Sequence, residues 1–171
     1  MGILGAGAEK FEAAADKQAE EKKREYEAYL TNPPFHVSIS QLEEAMQKVM
    51  DQYAGGISTD YIYNEKKLET AEKKIRKLLE LSKKLSAEDM DELLRIYEIR
   101  ERLIVCLAVI AHLAARKETR WHSFAENADY PGKSDEWLKY VNSRMKDGRI
   151  QIIYRELVTG GKAYEHSDSG K

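Results

Sequence analysis

The run Ile104-Val105-Cys106-Leu107-Ala108-Val109-Ile110 most constrains what this chain can fold into. A helix that is apolar on every side has to be covered on more than one of them. The run is too short to cross a bilayer, and Arg100, Arg102 and Arg116 flank it closely, so it reads as an interior helix and not a membrane anchor. Met90, Leu93, Leu94, Tyr97, Ile104, Leu107, Ala108, Ala111 and Ala115 recur at helical spacing around it. Ser86 with Asp89 has the form of a capping box. Together these predict a central helix that runs to about Lys117, with those apolar residues facing inward.

Three further helices precede it. Residues Ala8 to Leu30 are mostly Ala, Glu and Lys with a thin apolar stripe of Phe11, Tyr26, Tyr29 and Leu30, and Asn32-Pro33-Pro34 ends them, because proline disfavours the helical conformation before it. From about Ser40 to Tyr53, Leu42, Ala45, Met46, Val49, Met50 and Tyr53 repeat at helical spacing behind a Ser40/Glu43 capping box. Gly55-Gly56 stops that helix, and an aromatic-rich link leads to Asn64, the expected N-cap of the next. Leu68, Ala71, Ile75, Leu78, Leu79, Leu81 and Leu85 form the buried stripe of this third helix, and seven lysines between Lys66 and Lys84 cover its other faces.

After Lys117 the period changes. Trp137 to Met145 and Arg149 to Leu157 are rich in Tyr, Val and Ile and flank Asp147-Gly148, which suits a type I′ turn. A terminal β-hairpin follows, and as an isolated pair of strands is marginal in water, it has to pack on the helices or pair with strands from elsewhere. The expected fold is mainly α: an antiparallel bundle of three to four helices with a C-terminal β-hairpin. Residues 1–34 read as a helical arm, 35–158 as the bundle with its hairpin, and 159–171 as a disordered tail.

A net charge of -2 with mixed Lys and Glu describes solvated helix faces, not a nucleic-acid footprint. The single Cys106 lies in the apolar run and reads as a buried, inert thiol, and the lack of any disulfide framework suits the cytoplasm. Gly5-Ala6-Gly7 has no preceding strand and no room for a dinucleotide unit. His36, His112, His122 and His166 lack metal-site spacing, although Glu118 and His122 sit four apart. Ser123 beside His122 has no elbow or oxyanion loop to make it a nucleophile. No metal, cofactor or catalytic residue is assigned to the chain.

The segment Lys117-Glu118-Thr119-Arg120-Trp121, then Asp129-Tyr130-Pro131 and Asp135-Glu136-Trp137, carries the densest signal. With Tyr53-Ala54-Gly55-Gly56 and Asp91-Glu92-Leu93-Leu94-Arg95, it resembles the C-terminal helical domain of the flavoprotein family of fumarate reductase, succinate dehydrogenase and L-aspartate oxidase, and is most similar to the adenylylsulfate reductase alpha type. The similarity covers about Ser38 to Leu157, while residues His122 to Ala128 are nearer to the fumarate reductase pattern. The resemblance implies an accessory domain of an FAD-dependent oxidoreductase, with FAD bound by the parent enzyme and not by this chain, which lacks counterparts of the flavin-binding and catalytic residues. The implied partners are the flavin-binding domain or subunit and an iron–sulfur electron-transfer subunit. Arg116, Lys117, Glu118, Arg120, Trp121, Asp129 and Tyr130 are the candidate interface residues, whose ion pairs would tie the helix end to Asp129, Asp135 or a neighbouring domain. Removing Arg120 is expected to weaken docking more than the domain's own stability. The alternative reading is a free-standing helical adaptor without a redox role, docking through the amphipathic helix from Asn64 to Leu85.

Overall fold

A computed structural model describes residues 3–120 and 125–158, with side chains from Phe11 onward. The expected tail of 159–171, with His166, lies outside the described residues, as do Trp121, His122 and Ser123. The fold is mainly α, with a C-terminal antiparallel hairpin, and it divides into two compact units. None of the described helices is long and apolar enough to cross a membrane.

The first unit comprises residues 1–48 and 74–104. Its helix α1 (Ile3–Thr31) is exposed all along residues 11–24 and takes hold only at its last turns. There Arg100 donates to the Tyr29 hydroxyl at 2.7 Å and pairs with Glu25, while the Tyr26 ring meets Tyr97 edge-on at 6.2 Å. Tyr29 is 3% exposed, and this burial, with Tyr26 beside it, pushes its phenol up to about 12. Asn32, next to the two prolines, turns its amide onto the Leu85 carbonyl at 2.8 Å, and Ala87 N–H donates to the Tyr29 carbonyl at 2.8 Å. The helix end is thus held by its own stop signal. Leu42, Met46, Ile75, Leu85, Leu93, Ile96, Ile99 and Leu103 form the unit's core.

Two N-caps differ from the expected ones. Helix α2 (Ile39–Tyr53) is capped by Ser38, whose hydroxyl accepts from Gln41 N–H at 3.2 Å while the Gln41 side chain accepts from Ser38 N–H at 2.9 Å. Glu43, expected to close the box with Ser40, pairs instead with Arg102. Helix α4 (Met90–Ala115) is capped by Asp89, whose carboxylate accepts from Glu92 N–H at 2.9 Å, and not by Ser86. In both places two residues with suitable side-chain oxygens lie close together, and the cap falls on the one at which the helical bonding begins.

The inward face of α4 is also turned from the expected one. Leu93, Ile96, Ile99, Leu103, Leu107 and Ile110 are buried, whereas Met90, Leu94 and Tyr97 are 70%, 55% and 41% exposed. A helix with apolar residues on several sides offers more than one stripe of the right period, and packing chooses among them. Helix α3 (Glu65–Ser82) matches its pattern, with Leu68, Ala71 and Ile75 buried. Leu78, Leu79 and Leu81, farther along the same stripe, are half-buried.

The second unit comprises residues 49–73 and 105–171. After α2, Gly55 takes a φ of +79°, a left-handed conformation that suits glycine, and Gly56 presses against the helix: a Cβ there would lie 2.4 Å from Asp51 Cα. Asp51 then holds the turn by accepting from Ser58 N–H at 3.0 Å. The link ends in strand β1 (Ile62–Tyr63), which pairs in parallel with β2 (Glu126–Asn127), Ile62 opposite Glu126 and Tyr63 opposite Asn127. Asn64 caps α3 as expected, its side-chain oxygen accepting from Lys67 N–H at 2.8 Å.

Strands β3 (Lys139–Lys146) and β4 (Arg149–Glu156) form the hairpin, with Lys146 opposite Arg149. Asp147 and Gly148 have φ of 51° and 70°, the paired positive values of a type I′ turn. The hairpin packs on the end of α4, where His112 Nε2 lies 2.9 Å from Ser143 Oγ and the Tyr154 hydroxyl donates to the Ala115 carbonyl at 3.4 Å.

The two turn glycines give a paired prediction. Gly56→Ala should destabilise by about 1–3 kcal/mol or more, because the added methyl meets backbone that cannot move aside. Gly148→Ala, where a Cβ meets nothing within 4 Å, should cost only the left-handed strain, about 1–2 kcal/mol. Urea denaturation of the two variants checks the order, and equal losses would show that the Asp51 contact relaxes freely.

Candidate functional site

The last turn of α4 ends at Ala115, two residues before Lys117, and the next residues leave the helix as an irregular strap. Arg116, Glu118 and Arg120, spaced by two, converge on one cluster, while Lys117 and Thr119 engage different partners. Glu118 is 2% exposed and sits at the centre. Its Oε1 accepts from Arg116 Nη1 at 2.6 Å and from Arg120 Nε at 2.9 Å. Its Oε2 accepts from Arg120 Nη2 at 2.8 Å and from Ser134 N–H at 3.0 Å. The Arg120 guanidinium thus grips both oxygens with the two-pronged geometry that suits a carboxylate.

The two arginines extend the bracing. Arg116 donates to the carbonyls of Trp137 and Lys139, each at 3.0 Å, and Arg120 donates to the Ser134 carbonyl at 3.0 Å. The segment leading into the hairpin is therefore stitched to the end of α4. A second set of bonds runs through Thr119, also 2% exposed: its N–H donates to the Gly132 carbonyl, its hydroxyl to the Tyr130 carbonyl, and the hydroxyl oxygen accepts from Asn127 N–H at 2.9 Å. Asn127, 1% exposed, accepts from Asp129 N–H on its side-chain oxygen at 3.1 Å. Tyr63 shares a side-chain hydrogen bond with Asn127, and burial raises its phenol above the ordinary range.

The candidate interface residues fall into two groups. Arg116, Glu118 and Arg120 come together as one cluster. Lys117 pairs with Glu65 and lies 5.4 Å from the Tyr130 ring centroid, while Asp129 Oδ2 accepts from Glu65 N–H at 2.8 Å, at the start of α3. The carboxylate that Arg120 holds is Glu118, with Asp135 adding attraction from farther off, and not Asp129. Glu118 is expected among the interface ion pairs and Thr119 only as part of the motif, whereas the structure buries both and joins to them Asn127 and Ser134, which carry no expected role. Their partners lie across a loop, where no periodic signal reaches. Among the described residues no group of three His, Cys, Asp or Glu side chains could hold a metal ion.

This arrangement braces a loop, since its donors and acceptors answer one another. Burial alone would raise the Glu118 carboxyl, but the hydrogen bonds from Arg120, Ser134 N–H and Arg116, with the Arg120 charge, lower it to about 2. A carboxyl depressed in the folded state stabilises fully above its unfolded value, near 4.5, and loses that contribution as pH falls towards 2. The loss should amount to about 3 kcal/mol between those limits. Glu118→Gln should remove about 3–5 kcal/mol near neutrality, because two guanidiniums lose their counter-charge, and should flatten the acid limb of the stability curve. Denaturation of both proteins from pH 7 to pH 2 measures this, and parallel curves would show that Glu118 does not set the acid response.

Comparison with known proteins agrees with the motif reading. Residues 43–167 match the family described as the fumarate reductase flavoprotein C-terminus. The alpha subunit of adenylylsulfate reductase from Megalodesulfovibrio gigas is 35% identical over 112 residues, covering 65% of this chain and 17% of that protein. The solved adenylylsulfate reductase of Archaeoglobus fulgidus superposes with a TM-score of 0.77 at 31% identity, over 84% of this chain and 25% of that one. A quinol fumarate reductase chain of E. coli shares the fold, with a TM-score of 0.70 at 20% identity over 85% of this chain and 25% of its own. This chain thus spans about a quarter or less of the length of these relatives. It belongs to the fumarate reductase flavoprotein C-terminal family.

Proposed function

We propose that this chain serves as the helical accessory domain of an FAD-dependent oxidoreductase of the adenylylsulfate reductase or fumarate reductase type. It packs on the flavin-binding domain or subunit of that enzyme in the cytoplasm, and through it supports an iron–sulfur electron-transfer subunit. The observation that carries this reading is an apolar groove of about 500 Å³ along the end of α4, lined by Tyr63, Val105, Ala108, Val109, His112, Leu113, Arg116 and Val141. Val105 is 59% and Val109 42% exposed, within the run whose all-round apolar character demands cover on more than one side. Arg116, which lines the groove, is held in place by Glu118, and Arg120 braces the same carboxylate.

FAD itself does not fit the described residues. The groove is open and mostly apolar, and its one guanidinium, Arg116, is already committed to Glu118 and two carbonyls. The parallel pair β1 and β2 is two residues long in each strand and forms no strand-to-helix phosphate loop. On this reading the flavin chemistry belongs to the rest of the enzyme.

Two measurements test the proposal. Titrating FAD into the purified chain should give no saturable fluorescence quenching, and micromolar saturation would overturn the accessory role. A tagged chain should retain the flavin-binding subunit in a pull-down, and Val105→Glu with Val109→Glu should reduce that capture by about tenfold or more, since two charges would be buried in an apolar contact. Both positions are exposed in the free chain, so its folding should survive. Undiminished capture would refute the groove as the docking face.

A further inference from the structure

The hairpin carries a second binding feature, independent of the α4 groove. Lys146 and Arg149 flank the two-residue turn and are opposite one another, so they exchange backbone hydrogen bonds. In an antiparallel pair the exchanging positions alternate, which makes Arg144 with Gln151, Asn142 with Ile153 and Tyr140 with Arg155 the other bonded pairs. Lys139, Val141, Ser143 and Met145 then turn their N–H and C=O groups away from β4. Ile150, Ile152, Tyr154 and Glu156 turn theirs away from β3.

The two outer edges are not equivalent. On the β3 side the Lys139 carbonyl already accepts from Arg116 Nη2 at 3.0 Å, so the clamp around Glu118 closes off the start of that edge. The β4 side has no backbone partner among the described residues. Its sequence, Ile150-Gln151-Ile152-Ile153-Tyr154, has high β propensity and no proline, and natural proteins rarely leave such an edge uncovered. Charge points to what covers it. Residues 139–156 contain Lys139, Arg144, Lys146, Arg149 and Arg155 against Asp147 and Glu156, a net of +3 in a chain whose total is -2. Arg149 and Arg155 are exposed at the two ends of the open edge, and neither pairs with an acidic side chain among the described residues. Two such hairpins would repel each other, which disfavours a second copy.

We propose that the outer edge of β4 accepts an extended acidic segment of a partner protein as a third strand. Main-chain bonds from Ile150, Ile152 and Tyr154 supply the pairing, and Arg149 and Arg155 select for acidic side chains at either end. The basic ends also make the binding salt-dependent.

The test uses the full chain and a labelled ten-residue peptide of alternating Glu and Val, with a Gln–Val peptide of the same length as control. The Glu peptide should bind saturably and protect the amides of Ile150, Ile152 and Tyr154 from hydrogen exchange, while the Gln peptide binds about tenfold more weakly. Ile152→Pro removes an outward N–H that β3 does not use, so the hairpin should keep its cross-strand bonds while binding falls about tenfold. Arg149→Glu with Arg155→Glu should abolish the preference for the acidic peptide and leave the fold intact. Absence of saturable binding, or equal binding by the Ile152→Pro chain, would overturn the proposal. So would concentration-dependent dimers that Ile152→Pro dissolves, which would assign the edge to a second copy. Amides of 150–154 already protected in the free chain, and released by deleting residues 159–171, would assign it to the chain's own end.

Discussion

A single buried carboxylate organises the C-terminal third of the described chain. Glu118 is nearly inaccessible to water, and an isolated carboxylate in that position would be too costly to keep charged. Four donors meet it: two from Arg120, one from Arg116 and the backbone N–H of Ser134. Because the two arginines also bond the carbonyls of Ser134, Trp137 and Lys139, one charge holds the end of α4, the loop and the entry to β3 in register. A charge cluster that sequence reading would place on the surface is therefore largely internal.

That bracing separates two roles which the motif segment seemed to combine. Arg116, Glu118 and Arg120 fix the loop, Lys117 and Asp129 tie it to the start of α3, and Val105 and Val109 of α4 stay exposed. The same clamp reaches the hairpin, where the Arg116 bond to the Lys139 carbonyl closes off the start of the β3 edge. The loop and the hairpin are thus linked through shared side chains. A change at Arg116 would be felt in the Glu118 cluster, in the hairpin's attachment and in the groove that Arg116 lines.

Local punctuation was legible because its physics is local. Pro33-Pro34, Gly55-Gly56, Asn64 and Asp147-Gly148 act through backbone conformations and hydrogen bonds within a few residues, and each is found in its expected role. The fold class and the family followed from the same strings of residues. The N-caps at Ser38 and Asp89 were not legible, because Ser40 and Ser86 offer the same chemistry nearby. The inward face of α4 was not legible either, because Met90, Leu94 and Tyr97 share the helical period of the buried residues and only packing tells the stripes apart.

By itself, then, the sequence determined where the helices and the hairpin lie and which family the chain joins, since periodicity, turn chemistry and motif spacing are written along the chain. Tertiary structure decided which face of α4 is inside, that Arg120 answers Glu118 and not Asp129, that Thr119 and Asn127 lock the loop, and that β1 finds β2 across more than sixty residues. These outcomes rest on distances between groups remote in sequence. Burial sets their strength, and it exists only once the chain has folded.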